Sequence, residues 1–153
     1  MKKIVVKNEE MFPEVAEMLA QGRQVTIPVK GVSMLPFIVG ERDLVVLEAA
    51  QQYKIDDIVL FCIGGRWILH RIIEVGPKGP VIRGDGILKN VERPLWSNIH
   101  GRAVSVLRHG KKPVNPYSGL NIFLLRFWNL LRPVRRYLLY IYRHLPWNKK
   151  YFK

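Results

Sequence analysis

Residues 31 to 43 read GVSMLPFIVGERD and place one serine in a rigid loop just before a strand. Pro36 fixes the backbone φ angle and removes an amide donor, so the segment cannot be a helix interior. Gly31 lets the backbone approach closely before Ser33, and Gly40 permits the turn that follows. The pattern predicts a displayed serine. It is either a turn residue that bonds its own backbone or a nucleophile with a base nearby.

Short apolar runs separated by turn residues surround this loop, which is typical of a mainly β domain. A helix is predicted over about residues 8–21, where apolar residues recur at helical spacing. Gly64-Gly65 is a two-residue hairpin signal between two apolar runs. Strands are predicted over residues 24–29, 44–48, 58–63, 66–75, 81–83 and 103–107. We expect them to form a small, curled, barrel-like sheet.

The net charge of +13 on this 153-residue chain is confined to its C-terminal part. Residues 1–92 hold twelve basic and twelve acidic residues, whereas residues 93–153 hold thirteen basic residues and no acid. We therefore expect a neutral β domain over residues 1–110 and a basic, aromatic, helical tail over residues 111–153. Such a tail favours an anionic partner surface, either membrane or nucleic acid.

The tail predicts two amphipathic helices that Pro133 separates. Leu, Phe, Trp and Tyr mix with arginine over residues 120–153, and no uncharged run approaches the ~20 residues of a transmembrane helix. This composition suits a helix lying in the interface of an anionic membrane. It equally suits a helix packed on the domain or on a second subunit of an oligomer. The tail is too apolar for a solvated stripe that binds nucleic acid.

The sequence shows no signal for export and none for a cofactor. The N-terminal apolar piece, Ile4-Val5-Val6, is too short for a signal peptide or a membrane span. The single cysteine, Cys62, excludes an internal disulfide framework. Neither zinc-like Cys/His spacing nor a Gly-rich phosphate loop occurs. We expect a cytoplasmic protein, without metal or cofactor, that is peripheral on the inner face of the membrane if its tail binds lipid.

A reactive serine needs a base, and the base needs an orienting acid. His70 lies on the predicted strand 66–75, and a neutral imidazole can accept a serine proton at neutral pH. Asp85 lies between two glycines, where the backbone turns tightly. Each residue also has an ordinary explanation, as a strand histidine and a turn aspartate.

The order of these motifs resembles the type I signal peptidases, whose clan also includes the LexA-like self-cleaving repressors. The resemblance covers about residues 24–108. It implies a LexA/signal-peptidase-type β domain with a groove in which a peptide adds as a strand. It also implies a Ser-His subtype in which Ser33 is the nucleophile, His70 the general base and Asp85 the orienting acid. The matching motifs are Ser33-Met34-Leu35-Pro36, Gly-Glu-Arg-Asp before a strand, Asp57-Ile58-Val59 before a hairpin, His70-Arg71 and Gly84-Asp85.

The resemblance further implies that the residues around the serine contact the substrate or hold the oxyanion, namely Gly31, Val32, Met34 and Pro36. Gly31 and Val32 offer no side-chain donor, so backbone N–H groups are expected to bind the oxyanion. Three departures from the family pattern are visible. Phe37 stands where signal peptidases usually carry a small hydroxyl residue. The acid-rich segment that follows the Gly-Asp pair in the family, often with a second aspartate, reads GILKNVE here over residues 86–92. No membrane anchor is predicted.

Three functions follow from these residues. The first is a serine endopeptidase that cleaves a peptide or precursor protein by a Ser-His(-Asp) mechanism. The alternative is a non-catalytic peptide- or membrane-binding module on the same fold, which Phe37 and the tail favour. The third is a LexA-like self-cleaving regulator. Only 32 residues precede Ser33 and a histidine replaces the usual lysine, and both facts argue against it.

Overall fold

A computed structural model describes residues 4–5 and 9–152, and its main element is one sheet. The strands are β1 (Ile4–Val5), β2 (Val25–Pro28), β3 (Leu44–Glu48), β4 (Ile58–Ile63), β5 (Arg66–Val75), β6 (Pro80–Arg83), β7 (Ile99–Arg108) and β8 (Lys112–Val114). Their order in the sheet is β1-β2-β3-β7-β4-β5-β6, with β8 paired to β7. The pair β1–β2 is parallel, and the other pairs are antiparallel.

The mainly β class is confirmed, but the barrel-like closure is wrong. Within residues 4–5 and 9–152, the strands at the two ends of the order, β1 and β6, do not pair with each other. Strand β7 lies at the centre and pairs with both β3 and β4, each across an irregularity in register. Such irregularities bend a sheet locally.

Most strand bounds match the predictions to within a residue, and the larger differences concern β1, β7 and β8. Strand β7 begins four residues before the predicted 103, and neither β1 nor β8 is among the predicted strands. The turn between β7 and β8 contains His109 at φ 50° and Gly110 at φ 71°. Two consecutive residues with positive φ make a tight hairpin turn. The sheet therefore continues past residue 110.

The helices agree with the sequence in number and position. Helix α1 spans Phe12–Ala20 after a 3₁₀ turn over Glu9–Met11, and residue 8 of the predicted helix lies outside the described residues. In the tail, α2 spans Gly119–Leu130 and α3 spans Arg135–His144. Pro133 lies in the 3₁₀ turn between them, so the predicted break is confirmed.

The sheet carries buried side chains on both faces. On one face, α1 packs over β2, β3, β4 and β7. It also meets residues of the segment 31–43, which we call the serine loop. On the other face lies a smaller cluster that contains Val59, Phe61, Ile72, Ile82 and Ile99. Strand β4 contributes to both clusters, which explains its uninterrupted apolar sequence.

The tail packs on the outer side of the serine loop through one face. Trp128 and Leu139 are buried together with Leu35 and Val39 of the loop. The packing alternative is therefore confirmed for this face of the tail. The opposite face is exposed, and its membrane or subunit partner stays a prediction. None of the described helices has the length and apolar character needed to cross a bilayer.

Candidate active site

The serine loop is a chain of tight turns that leaves Ser33 half-buried. The amides of Phe37 and Ile38 both donate to the Met34 carbonyl oxygen, at 3.1 and 3.0 Å, and the Leu35–Pro36 peptide bond is cis. At the end of the loop, a Cβ on Gly40 would lie 2.6 Å from the Gly31 nitrogen. Glycine is required there because the two ends of the loop touch backbone to backbone.

A second glycine brings the serine loop to the imidazole of His70. A Cβ on Gly84 would overlap the Ser33 carbonyl oxygen and would lie 3.0 Å from His70 Nε2. The amide of Gly86 donates to the same Ser33 carbonyl oxygen at 2.8 Å. The loop that contains Asp85 therefore positions the backbone of Ser33 beside the Nε2 edge of the imidazole.

The other ring nitrogen of His70 is held by a carboxylate. Glu92 Oε2 lies 3.1 Å from His70 Nδ1, and the His70 side chain is 8% exposed. Glu92 is fixed in turn, since its backbone exchanges two hydrogen bonds with Ile82 of β6, at 2.8 and 2.9 Å. A carboxylate at Nδ1 favours the tautomer with the proton on Nδ1 and leaves the lone pair on Nε2.

Asp85 does not orient His70, and this corrects the prediction. Its carboxylate accepts two hydrogen bonds of 2.8 Å from the guanidinium of Arg71. Successive side chains of a strand point to opposite faces, so His70 and Arg71 of β5 point away from each other. Burial lowers the pKa of Arg71, but the charge and hydrogen bonds of Asp85 outweigh burial and raise that pKa above its usual value.

Ser33, His70 and Glu92 line one cavity of about 310 Å³, which we call the serine cavity. Much of its wall is apolar and comes from α1, β2, β4 and β5, with Lys30 and Arg66 as its two cations. The first half of β5 pairs with β4 on one side, and β6 begins pairing only at Arg71. An edge of β5 therefore faces the cavity among the described strands.

No hydrogen bond joins the Ser33 hydroxyl to His70 or to any other described residue. Catalytic hydrogen bonds are often long or poorly aligned in apo enzymes and tighten with substrate. In the same part of the chain, the amides of Ser33 and Met34 donate to no carbonyl oxygen. Ser33 also lines the serine cavity, so its N–H group is a candidate donor to an oxyanion.

The remaining predicted site residues lie around Ser33 but outside the serine cavity. Gly31 is exposed, with φ of 77° that glycine adopts without strain. The Met34 side chain is buried in the core with α1, and Val32 packs against the tail cluster. Pro36 is half-buried. None of these four residues lines the serine cavity, so their substrate and oxyanion roles stay predictions.

Glu92 is the site residue that sequence reasoning missed. The stretch of residues 86–99 has no clear periodicity, and its connection to β6 is a single bridge. One signal could have found it, because Glu92 is the only acidic residue between Asp85 and the C-terminus.

Comparison with models of known protein families and with curated proteins found no match to this chain.

Proposed function

We propose that this protein is a serine endopeptidase in which Ser33 attacks, His70 acts as general base and Glu92 orients His70. The observation that carries the proposal is the carboxylate at His70 Nδ1, in a cavity that also contains Ser33. The motif order, which resembles that of the type I signal peptidases, supports the same assignment of Ser33 and His70. Glu92 replaces Asp85 in the predicted triad.

The proposed reaction has two halves. Ser33 Oγ bonds to the peptide carbonyl carbon while its proton moves to His70 Nε2, and the Ser33 amide donates to the oxyanion. The C–N bond then breaks and His70 returns the proton to the leaving amine. A water molecule, deprotonated by His70, attacks the acyl-enzyme. The ester C–O bond then breaks, the acid leaves, and His70 returns the proton to Ser33 Oγ. Glu92 stabilises the imidazolium in both halves.

The substrate fits as an extended peptide added to the edge of β5. Residues 66–70 of β5 all line the serine cavity and bring their unpaired edge to it. Strand addition supplies backbone hydrogen bonds at such an edge, while neighbouring pockets select side chains. The apolar wall formed by Phe12, Ile27 and Leu60 favours an apolar side chain near the scissile bond.

The proposal is tested by comparing protein N-termini in cells that carry wild-type protein, Ser33→Ala or the control Ser97→Ala. Ser97 is exposed on the 3₁₀ turn before β7 and does not line the cavity. We expect a set of N-termini that is present with wild type and Ser97→Ala and lost with Ser33→Ala. Identical profiles in all three strains would overturn the peptidase assignment.

A second candidate function is a peptide-binding module that does not cleave. The absence of a hydrogen bond between the Ser33 hydroxyl and any described residue favours it, because nothing shown activates the hydroxyl. This candidate predicts that Ser33→Ala preserves cellular function, while a change that fills the cavity, such as Leu69→Trp, removes it. The opposite pattern supports catalysis.

A further inference from the structure

A second cavity, of about 290 Å³, lies between β5, β6 and the tail helices. Its wall contains five arginines and two aspartates, and we call it the arginine cavity. Both aspartates are already paired, since Asp85 binds Arg71 and Asp56 binds Arg126 at 2.6 Å. The other three arginines have no carboxylate within 4.0 Å in the described part of the chain, namely Arg83, Arg132 and Arg135.

Arg135 has the most unusual environment of the three. Its side chain is 2% exposed, and its Nη2 donates to the Trp128 carbonyl and to Asn129 Oδ1, each at 3.0 Å. Its Nε has no hydrogen-bond partner among residues 4–5 and 9–152. A buried charged donor left without a partner is costly, and this cost is removed by an anion that accepts from it.

The three cations also repel one another. Burial lowers the pKa of Arg83, and the charge of Arg132 lowers it further. Burial and the charges of Arg83 and Arg132 lower the pKa of Arg135. Guanidinium groups bind phosphate oxygens through parallel hydrogen bonds, so a phosphate group would relieve this repulsion and satisfy several donors together.

Exposed apolar side chains flank Arg132 of this cavity along the chain. Leu130 is 77% exposed and Val134 is 45% exposed, on either side of the turn that carries Arg132. An adjoining cavity of about 220 Å³ shares Arg132 and Arg135 and adds Lys89, Arg136 and the exposed Leu88. Large apolar side chains beside clustered cations are typical of a surface that binds an anionic membrane.

We propose that the arginine cavity binds the phosphate group of an anionic phospholipid, with the exposed apolar face of α2 and α3 in the membrane interface. The exposed Leu130 and Val134 favour a lipid over a soluble phosphate, because a soluble ligand would leave both side chains in water. This inference does not depend on Ser33 or on peptidase activity.

The first test measures partition of the full chain onto vesicles by co-sedimentation. Vesicles of phosphatidylcholine alone are compared with vesicles that also contain phosphatidylglycerol, at low and high salt. We expect binding to the anionic vesicles that weakens as salt screens the charges. Lack of binding to anionic vesicles at low salt would overturn the proposal.

The second test separates a site from general electrostatic attraction. Arg83→Gln/Arg132→Gln removes two cavity cations, and the control Arg23→Gln/Lys78→Gln removes two cations outside both arginine-lined cavities. We expect the cavity pair to weaken binding about thirtyfold and the control pair no more than about threefold. Equal losses would overturn the site. Thermal unfolding of each variant verifies that it folds.

The third test separates a lipid headgroup from free phosphate. Leu130→Asn leaves every arginine in place and changes a side chain that is largely exposed, so the fold is expected to persist. We expect this variant to bind anionic vesicles at least tenfold more weakly than wild type. Thermal stabilisation by inorganic phosphate, combined with unchanged vesicle binding by Leu130→Asn, would overturn the lipid assignment.

Discussion

Two neighbouring residues of β5 take carboxylate partners for different reasons. His70 receives Glu92 inside the serine cavity, where a carboxylate can orient a base. Arg71 receives Asp85 in a buried ion pair whose side chains are 4% and 5% exposed. A carboxylate beside an imidazole can support proton transfer, whereas a buried ion pair affects the stability of the fold. Their consequences can be separated by substituting each acid with its amide.

Glu92→Gln is expected to lower kcat/KM roughly 10²–10⁴-fold with little loss of stability, because an amide no longer stabilises the His70 imidazolium. The measurement is turnover of a substrate found by the N-terminal comparison, together with urea unfolding. Asp85→Asn is the matched control. It should cost about 3 kcal/mol of stability, since it leaves the Arg71 charge buried without its partner. A reversed pattern would return the orienting role to Asp85.

Asp43 gives the stability of the serine loop a pH dependence. Burial alone would raise the pKa of Asp43, but hydrogen bonds from Arg42 and Val39 and the charges of Arg42 and Arg108 lower it below 3.8. A carboxyl group whose pKa is lowered by folding stabilises the protein above its unfolded pKa. This contribution disappears as the pH falls through the folded value.

Asp43→Asn should therefore cost about 2 kcal/mol at neutral pH, and the difference from wild type should shrink progressively below about pH 4. Urea unfolding of both proteins across this range measures it. A difference that stays constant with pH would show that the carboxylate charge contributes nothing.

At the scale of elements, Tyr117 joins two strands where their pairing ends. Strands β4 and β7 pair from Phe61 to Val59 but not at Ile58. The Tyr117 hydroxyl bridges this gap, since it accepts from the Ile58 amide at 3.0 Å and donates to the Ala103 carbonyl at 2.7 Å. Burial raises the pKa of Tyr117 to about 12, so the bridging proton persists in alkaline solution.

Tyr117→Phe is expected to cost about 1–3 kcal/mol, because it leaves a strand amide and a strand carbonyl without their partner. Urea unfolding measures the loss. Tyr137→Phe is the control, because Tyr137 is 57% exposed and its change should cost less than about 0.5 kcal/mol. Equal effects would remove the bridging role from Tyr117.

At the scale of the whole molecule, the tail is part of the folded body. Trp128 Nε1 donates to the Asp85 carbonyl at 2.8 Å, and Leu139 packs with Leu35 and Val39 of the serine loop. At residue 110 the charge composition of the chain changes, but the packing is not interrupted. Side chains of the tail lie directly on the β domain.

A chain shortened to residues 1–118 should lose several kcal/mol of stability, because it exposes Leu35 and Val39, each 0% exposed in the full chain. Urea unfolding followed by fluorescence compares it with the full chain. Leu130→Asn serves as the control that alters the tail only on its outer face. An unfolding midpoint equal to that of the full chain would show that the tail adds nothing to the body.

The sequence by itself determined the local features of this protein. Apolar runs and Gly-Gly or Gly-Pro turns predicted strands β3, β4 and β5 with their bounds, and Pro133 predicted the break in the tail. These features are local, because backbone φ preferences and the spacing of apolar residues involve only a few neighbouring positions. The candidates Ser33 and His70 also came from sequence order and line one cavity.

Only the tertiary structure decided which partners meet. Strand alternation points His70 and Arg71 to opposite faces, but only a single bridge to β6 brings Glu92 to His70, and that long-range contact leaves no trace in the sequence. The sheet stays open because its end strands, β1 and β6, do not pair with each other among the described residues. Arg135 is buried because α3 folds back on the serine loop. These contacts join residues that are distant in sequence, so the local preferences of single residues do not predict them.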